Sequence, residues 1–156
     1  VGTGVNMRHY PPGAQMTAID ISDRMLAKAR ARAERKHVAV DLALMDAQHL
    51  DFADDTFDTV VATCVFCSVP DPVAGLREIR RVLKPGGRLL LLEHVRSGNA
   101  VAGKLMDLLN PIAVRMSGAN INRRTVANVR TAGFSDLDVS SHMLGIIKAI
   151  RATKHA

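Results

Sequence analysis

The sequence predicts an α/β fold: a doubly wound, mostly parallel sheet with an antiparallel strand pair at its C-terminal end. Three observations lead there. Leu89 to Leu92 is a continuous apolar run, as a strand buried on both faces would be. Short apolar runs alternate with helical stripes, the order that a parallel sheet with crossover helices requires. Several runs end in an acid or a polar pair (Asp20, Asp46, Glu93-His94), and in open α/β sheets ligands sit at the strands' carboxyl ends.

Taken in order, Val1 to Met7 is a Gly-rich turn, and Tyr10-Pro11-Pro12-Gly13 breaks the short helix after it. Gln15 to Asp20 reads as a strand. Ser22 is a fair N-cap for a helix, with Asp23 in its first turn. Met25, Leu26, Ala29 and Ala33 make that helix's apolar stripe, and Lys28, Arg30, Arg32, Arg35 and Lys36 load its other positions with positive charge. Val38 to Asp46 is the next strand, and a polar loop runs to Thr56. Phe57 to Phe66 is a β-branched strand. Pro70-Asp71-Pro72 starts a helix carrying Leu76, Ile79 and Leu83, which runs into Lys84 and stops at Pro85-Gly86-Gly87. The strand Leu89 to Val95 follows. Residues 100 to 118 form an apolar-rich segment interrupted by Pro111. Asn122 to Ala132 reads as a helix closed by Gly133. Asp136 to Ser141 and Met143 to Arg151 read as the final antiparallel pair.

The totals bound the function. A chain of 156 residues, 47% hydrophobic and 23% charged, fits one domain over residues 1–156 with a sizeable core. Aromatics are 3% with no Trp, which argues against a stacking platform for single-stranded nucleic acid. A net charge of +6 reads first as a basic solvated face, and it allows peripheral contact with an anionic membrane. No apolar run approaches the length of a spanning helix. Two cysteines make no disulfide framework, and the expected compartment is the cytoplasm. Cys64 and Cys67 lack further ligands at zinc spacing, so no metal is expected.

Gly2-Thr3-Gly4 alone is a weak signal. In the dinucleotide fingerprint the third Gly would fall at position 7, which is Met7, so the helix would not approach a pyrophosphate in the usual way. Asp20 at a strand end is placed to accept hydrogen bonds from ribose hydroxyls. Asp46, at the next strand end and followed by Ala47, is placed to read an adenine amino group. The three features together suit a nucleoside lacking phosphates.

At these residues the chain resembles the class I S-adenosylmethionine-dependent methyltransferases, with their Rossmann-like fold. More narrowly, it looks like the UbiE-type branch and the small thiol and phospholipid methyltransferases. The resemblance rests on Gly2-Thr-Gly-Val-Asn6 with Tyr10-Pro-Pro-Gly13, Ala18-Ile-Asp-Ile-Ser22, Met45-Asp-Ala47, Phe57-Asp-Thr-Val-Val61, and Leu76 through Gly87 into Leu91-Leu-Glu-His94. Cys67-Ser-Val69 and Asn120 to Thr125 resemble the phospholipid and thiol members most. The resemblance implies S-adenosyl-L-methionine as cofactor and a small-molecule or lipid-like acceptor, not nucleic acid. It implies that Gly2, Thr3, Gly4 and Asn6 line the methionine part, Asp20 holds the ribose, Ile21 packs on the adenine, and Asp46 and Ala47 read its edge. Cys64 would end the strand beneath the sulfonium. His94 is the candidate general base, and Glu93 would orient it or bind acceptor. The family's first motif opens with an acid and another Gly on a first strand, and both would precede Val1. The expectation is therefore an N-terminally incomplete fold whose first strand is missing, with a homodimer as one means of compensation. A catalytically inactive binding module or fragment is the alternative.

Overall fold

The computed structural model describes residues 1–155. The elements are a 3-10 turn Val5–His9, then β1 Thr17–Asp20, α1 Asp23–Lys36, β2 Asp41–Leu44, β3 Phe57–Thr63, α2 Pro72–Val82, β4 Leu83–His94, α3 Ala100–Ser117, α4 Thr125–Thr131, β5 Leu137–His142, a second 3-10 turn Met143–Gly145, and β6 Ile147–Thr153. This is the α/β order read from the sequence. The chain forms two compact units, Val1–Asp51 and Phe52–Ala156.

In the first unit β1 and β2 pair in parallel, with Thr17 opposite Asp41 and Asp20 opposite Leu44. Helix α1 is their crossover. It starts where the Ser22 side chain accepts the Met25 N–H and ends where His37 turns left-handed at φ 51°. Leu26, Ala29 and Ala33 are buried along its stripe, whereas Met25, expected there, lies toward solvent. Met7, Ala29 and Ala33 form this unit's core, with Val1, Tyr10, Val38, Val40 and Leu42 against it.

In the second unit the strand order is β3-β4-β6-β5. β3 and β4 are parallel, and β6 runs antiparallel to both β4 and β5. Asp71 caps α2 by accepting the N–H groups of Val73 and Ala74 at 3.0 Å, and Pro72 occupies its first turn. Leu76, Ile79 and Val82 are buried on its inner face. The helix ends at Val82, short of the expected Lys84, because Leu83 already lies in β4 opposite Phe57. Gly86 (φ 77°) turns the strand's first part. Gly87 is required by space, since a Cβ there would stand 2.7 Å from the Lys84 carbonyl oxygen.

Three sequence expectations change here. The Leu89–Leu92 run is not buried on both faces. Leu89, Leu91, Glu93 and Val95 are buried, but Leu92 on the opposite face is 42% exposed, and Val61 on the neighbouring strand is also exposed. An apolar run shows what a face is suited to touch, not what covers it. The segment around Pro111 is also unbroken: α3 passes through it, capped by Asn99, whose Oδ1 accepts from Val101 and Ala102 at 3.0 Å, and by left-handed Gly118. Helix α4 begins at Thr125 rather than Asn122, because the residues before it are hydrogen-bonded elsewhere.

Candidate functional site

The first unit brings its predicted residues to one edge. Met45 donates its N–H to the Asp20 carbonyl oxygen at 3.0 Å, so the ends of β1 and β2, with Asp20 and Asp46, stay together. Gly2 (φ 57°) and Gly4 (φ 75°) both adopt the left-handed region, and this bends the turn onto the end of β1. There the Asp20 carboxylate accepts the N–H of Gly2 at 2.7 Å and of Ser22 at 3.0 Å. Burial pushes its carboxyl up, but these backbone donors together with the Val1 amino group at 3.4 Å outweigh burial and hold it below the usual aspartate range. The side chain is therefore a fixed anion, and a carboxylate oxygen can accept more than one hydrogen bond. Ile21, next along the chain, is 70% exposed, an apolar side chain beside a polar acceptor.

Asp46 is more committed. Gln48 donates its backbone N–H to Oδ1 at 2.9 Å and its side-chain amide to Oδ2 at 2.9 Å. Ala47 is half-buried between them in sequence. Gln48, which the sequence reading did not single out, thus occupies the carboxylate expected to meet adenine. Thr3 is half-buried in the turn, and Asn6 is exposed on the 3-10 turn. Met7 takes the place of the fingerprint's third Gly and is 2% exposed. A Cβ on Gly4 would meet its Sδ at 2.8 Å, so the thioether fills the space under the turn.

The second unit brings together the ends of β3 and β4. β3 stops at Thr63, and Cys64 turns left-handed at φ 52°, its N–H donating to the Leu92 carbonyl at 2.9 Å. The turn that follows is held by Glu93, which is 0% exposed: its Oε1 accepts the N–H of Val65 at 2.9 Å and of Phe66 at 3.3 Å. Oε2 is buried with no partner of good geometry. Burial pushes the Glu93 carboxyl up, against the opposing pull of the Val65, Phe66 and Cys67 N–H groups. Glu93 does not orient His94, because neighbouring strand residues point to opposite faces. It faces inward, and half-buried His94 faces the other way. Partial burial, with the Glu93 and Cys67 groups nearby, raises the Cys64 thiol. Cys67 is buried, and its thiol donates to the Cys64 carbonyl at 3.3 Å.

A strap from the far side of α3 closes over the same turn. Asn120 donates its backbone N–H and its amide to the Cys67 carbonyl at 2.8 and 3.1 Å, and Arg123 donates to the Val69 carbonyl at 2.7 Å. Sequence reasoning grouped Asn120 to Thr125 as a motif but gave its residues no role. The signal was a run of polar side chains, and its second half was read as the start of a helix.

Comparison with known proteins decides the family. A family model described as a methyltransferase domain matches residues 1–91, more than half of the chain. The chain belongs to the class I S-adenosylmethionine-dependent methyltransferases. It is 33% identical over 145 residues to the thiol S-methyltransferase TMT1B of Rattus norvegicus, covering 88% of this chain and 59% of that protein. It is 41% identical over 96 residues to the phosphatidylethanolamine N-methyltransferase of Cereibacter sphaeroides, covering 60% of this chain and 47% of that one. The chain thus spans about half to three-fifths of the length of these relatives. A solved S-adenosylmethionine-dependent methyltransferase from Methanosarcina mazei superposes with a TM-score of 0.76, covering 99% of this chain and 89% of that one at 22% identity, which speaks for the fold.

Proposed function

We propose that this methyltransferase domain moves a methyl group from S-adenosylmethionine to a small thiol or a lipid-like amine. The observation that carries the reading is the edge where Gly2, Asp20 and Ile21 meet. A fixed carboxylate with acceptor capacity to spare stands beside an uncovered aliphatic side chain, and a nucleoside offers a ribose diol and an apolar ring to that pair. Asp20 would accept from the ribose hydroxyls, Ile21 would pack on the adenine, and Ala47 would lie at its edge. Asp46 would receive the adenine amino group once the Gln48 amide turns aside. Gly2, Thr3, Gly4 and Asn6 would line the methionine part. The bound cofactor supplies an already activated sulfonium methyl.

The chain's own residues then have modest tasks. Glu93 fixes the Cys64–Cys67 turn. Partial burial favours the neutral thiol of Cys64, the weaker nucleophile. His94, at the end of β4, is our candidate base: it would take the proton from a thiol, or from an ammonium before its freed amine attacks the methyl carbon. The thiol and phosphatidylethanolamine acceptors named for the two relatives set the acceptor classes to try.

The test is calorimetric titration with S-adenosylhomocysteine. The folded chain should bind it, and Asp20→Asn should weaken binding about tenfold to hundredfold, the loss of charge-assisted hydrogen bonds. Asn keeps one oxygen, for the Gly2 or the Ser22 N–H but not both, so circular dichroism on the variant first checks that the turn's unit stays folded. A folded chain that ignores S-adenosylhomocysteine, or an Asp20→Asn variant that binds it unchanged, would end this reading.

A further inference from the structure

Helix α3 is amphipathic the wrong way round for a core helix. Its other side is polar or small apart from half-buried Met106, whose Sδ accepts the Ser97 N–H at 3.2 Å: Asp107 receives Arg96 in a two-pronged ion pair at 2.8 to 3.1 Å, Asn110 exchanges hydrogen bonds with Asn120 and the Ile121 N–H, and Gly103 lies under the Arg96 guanidinium. Its outer side carries Val101, Leu105, Leu108, Leu109, Ile112 and Met116, all exposed, with Leu108 at 74% and Met116 at 83%. At 3.6 residues per turn these positions fall within an arc of about 100°, and the stripe runs about 22 Å along the axis. Exposed Lys104 and Arg115 border the arc on one side, and no acid lies on that outward half. The helix's one acid, Asp107, lies off that arc and is paired with Arg96 at 2.8 Å.

We propose that α3 is an interfacial docking helix that lays this stripe on an anionic lipid surface. Continuous apolar area bordered by cations is what the boundary between acyl chains and anionic headgroups accepts. Among the described residues no helix is long and apolar enough to cross a membrane, so α3 lies along the surface rather than through it. Charge favours lipid over a second copy of the chain: an antiparallel two-fold contact through this stripe would put Lys104 and Arg115 of both copies on the same side with no acid on the outward half to offset them. The caps at Asn99 and Gly118 and the inner hydrogen bonds hold the helix formed without the lipid, so docking costs little ordering. The proposal stands on α3 alone and goes beyond the methyl-transfer reading; its readout is vesicle binding, which is independent of cofactor.

The test is co-sedimentation of the chain with vesicles of phosphatidylcholine and of equal parts phosphatidylcholine and phosphatidylglycerol. The chain has no Trp, so Leu108→Trp supplies a single fluorescent reporter. Binding to the anionic vesicles with a blue shift of that reporter is expected. Leu108→Asp with Ile112→Asp should abolish binding, and Lys104→Ser with Arg115→Ser should weaken it about thirtyfold. These side chains face outward, so circular dichroism should show the fold intact in each. A folded chain that stays in the supernatant overturns the proposal, as does binding indifferent to the Asp pair. A dimeric mass with the reporter already blue-shifted before vesicles are added also overturns it and assigns the stripe to self-association.

Discussion

Replacing Glu93 separates its hydrogen bonds from its charge. Glu93→Ala leaves the Val65 and Phe66 N–H groups without their acceptor inside the second unit. An orphaned buried donor costs about 1–3 kcal/mol, and the long 3.3 Å bond to Phe66 belongs at the low end. The lost methylene adds about 1 kcal/mol, and removal of a buried carboxylate offsets part of the sum. The net loss is about 2–4 kcal/mol. Glu93→Gln keeps an oxygen at the same place and should lie within about 1 kcal/mol of the parent at neutral pH. The pH dependence carries the sharper test. Burial raises the Glu93 carboxyl in the folded state, so the folded chain holds that proton more tightly than the unfolded one. Its contribution to stability is full below the ordinary glutamate pKa and is lost as pH rises through the folded value. Urea denaturation followed by circular dichroism, from mildly acidic to neutral buffer, should show this loss in the parent and not in Glu93→Gln. Equal destabilisation by Gln and Ala, or identical pH profiles for parent and Gln, would refute the reasoning.

Two further substitutions test the packing. Gly4→Ala should lower stability by about 1–3 kcal/mol in thermal melts, since the left-handed φ disfavours any Cβ and Ala29 Cα would stand 3.3 Å from it. Gly2→Ala meets nothing within 4 Å and should cost only the backbone term, about 1 kcal/mol. Leu89→Ala, at a fully buried site, should cost about 2–5 kcal/mol in urea denaturation, whereas Leu92→Ala should cost under about 1 kcal/mol if only one face of β4 is covered.

The order of elements was legible because each carries its own local signal. Ser22 and Asp71 mark helix starts, and apolar runs of strand length mark β3 and β4. The ends were less legible. α2 yields Leu83 and Lys84 to the sheet because cross-strand pairing outweighs the helical stripe. The second face of β4 was misread because Leu90 and Leu92 look the same whether covered or open. At the candidate site Asp20 was placed from its strand end alone. Gln48 on Asp46, Met7 under Gly4, and Asn120 and Arg123 on the Cys67–Val69 carbonyls were not. Each is a contact between residues whose types are unremarkable and whose meeting depends on the turn between them. Glu93 was read as a polar strand end, and only its inward face shows that it binds backbone.

The position of β6 sets a condition on how the second unit is made. β5 comes off the ribosome before β6, yet its ladder partner is β6, which also supplies the antiparallel neighbour of β4. Until Ile147 to Thr153 emerges, β5 has no strand to join and β4 presents an unpaired edge. The last step of assembly is thus an insertion between two waiting strands, with a closure of about fifty residues from β4. A nascent chain paused after His142 would expose that edge to any extended segment nearby, and the edge closes only once Ile147 to Thr153 is itself free to pair.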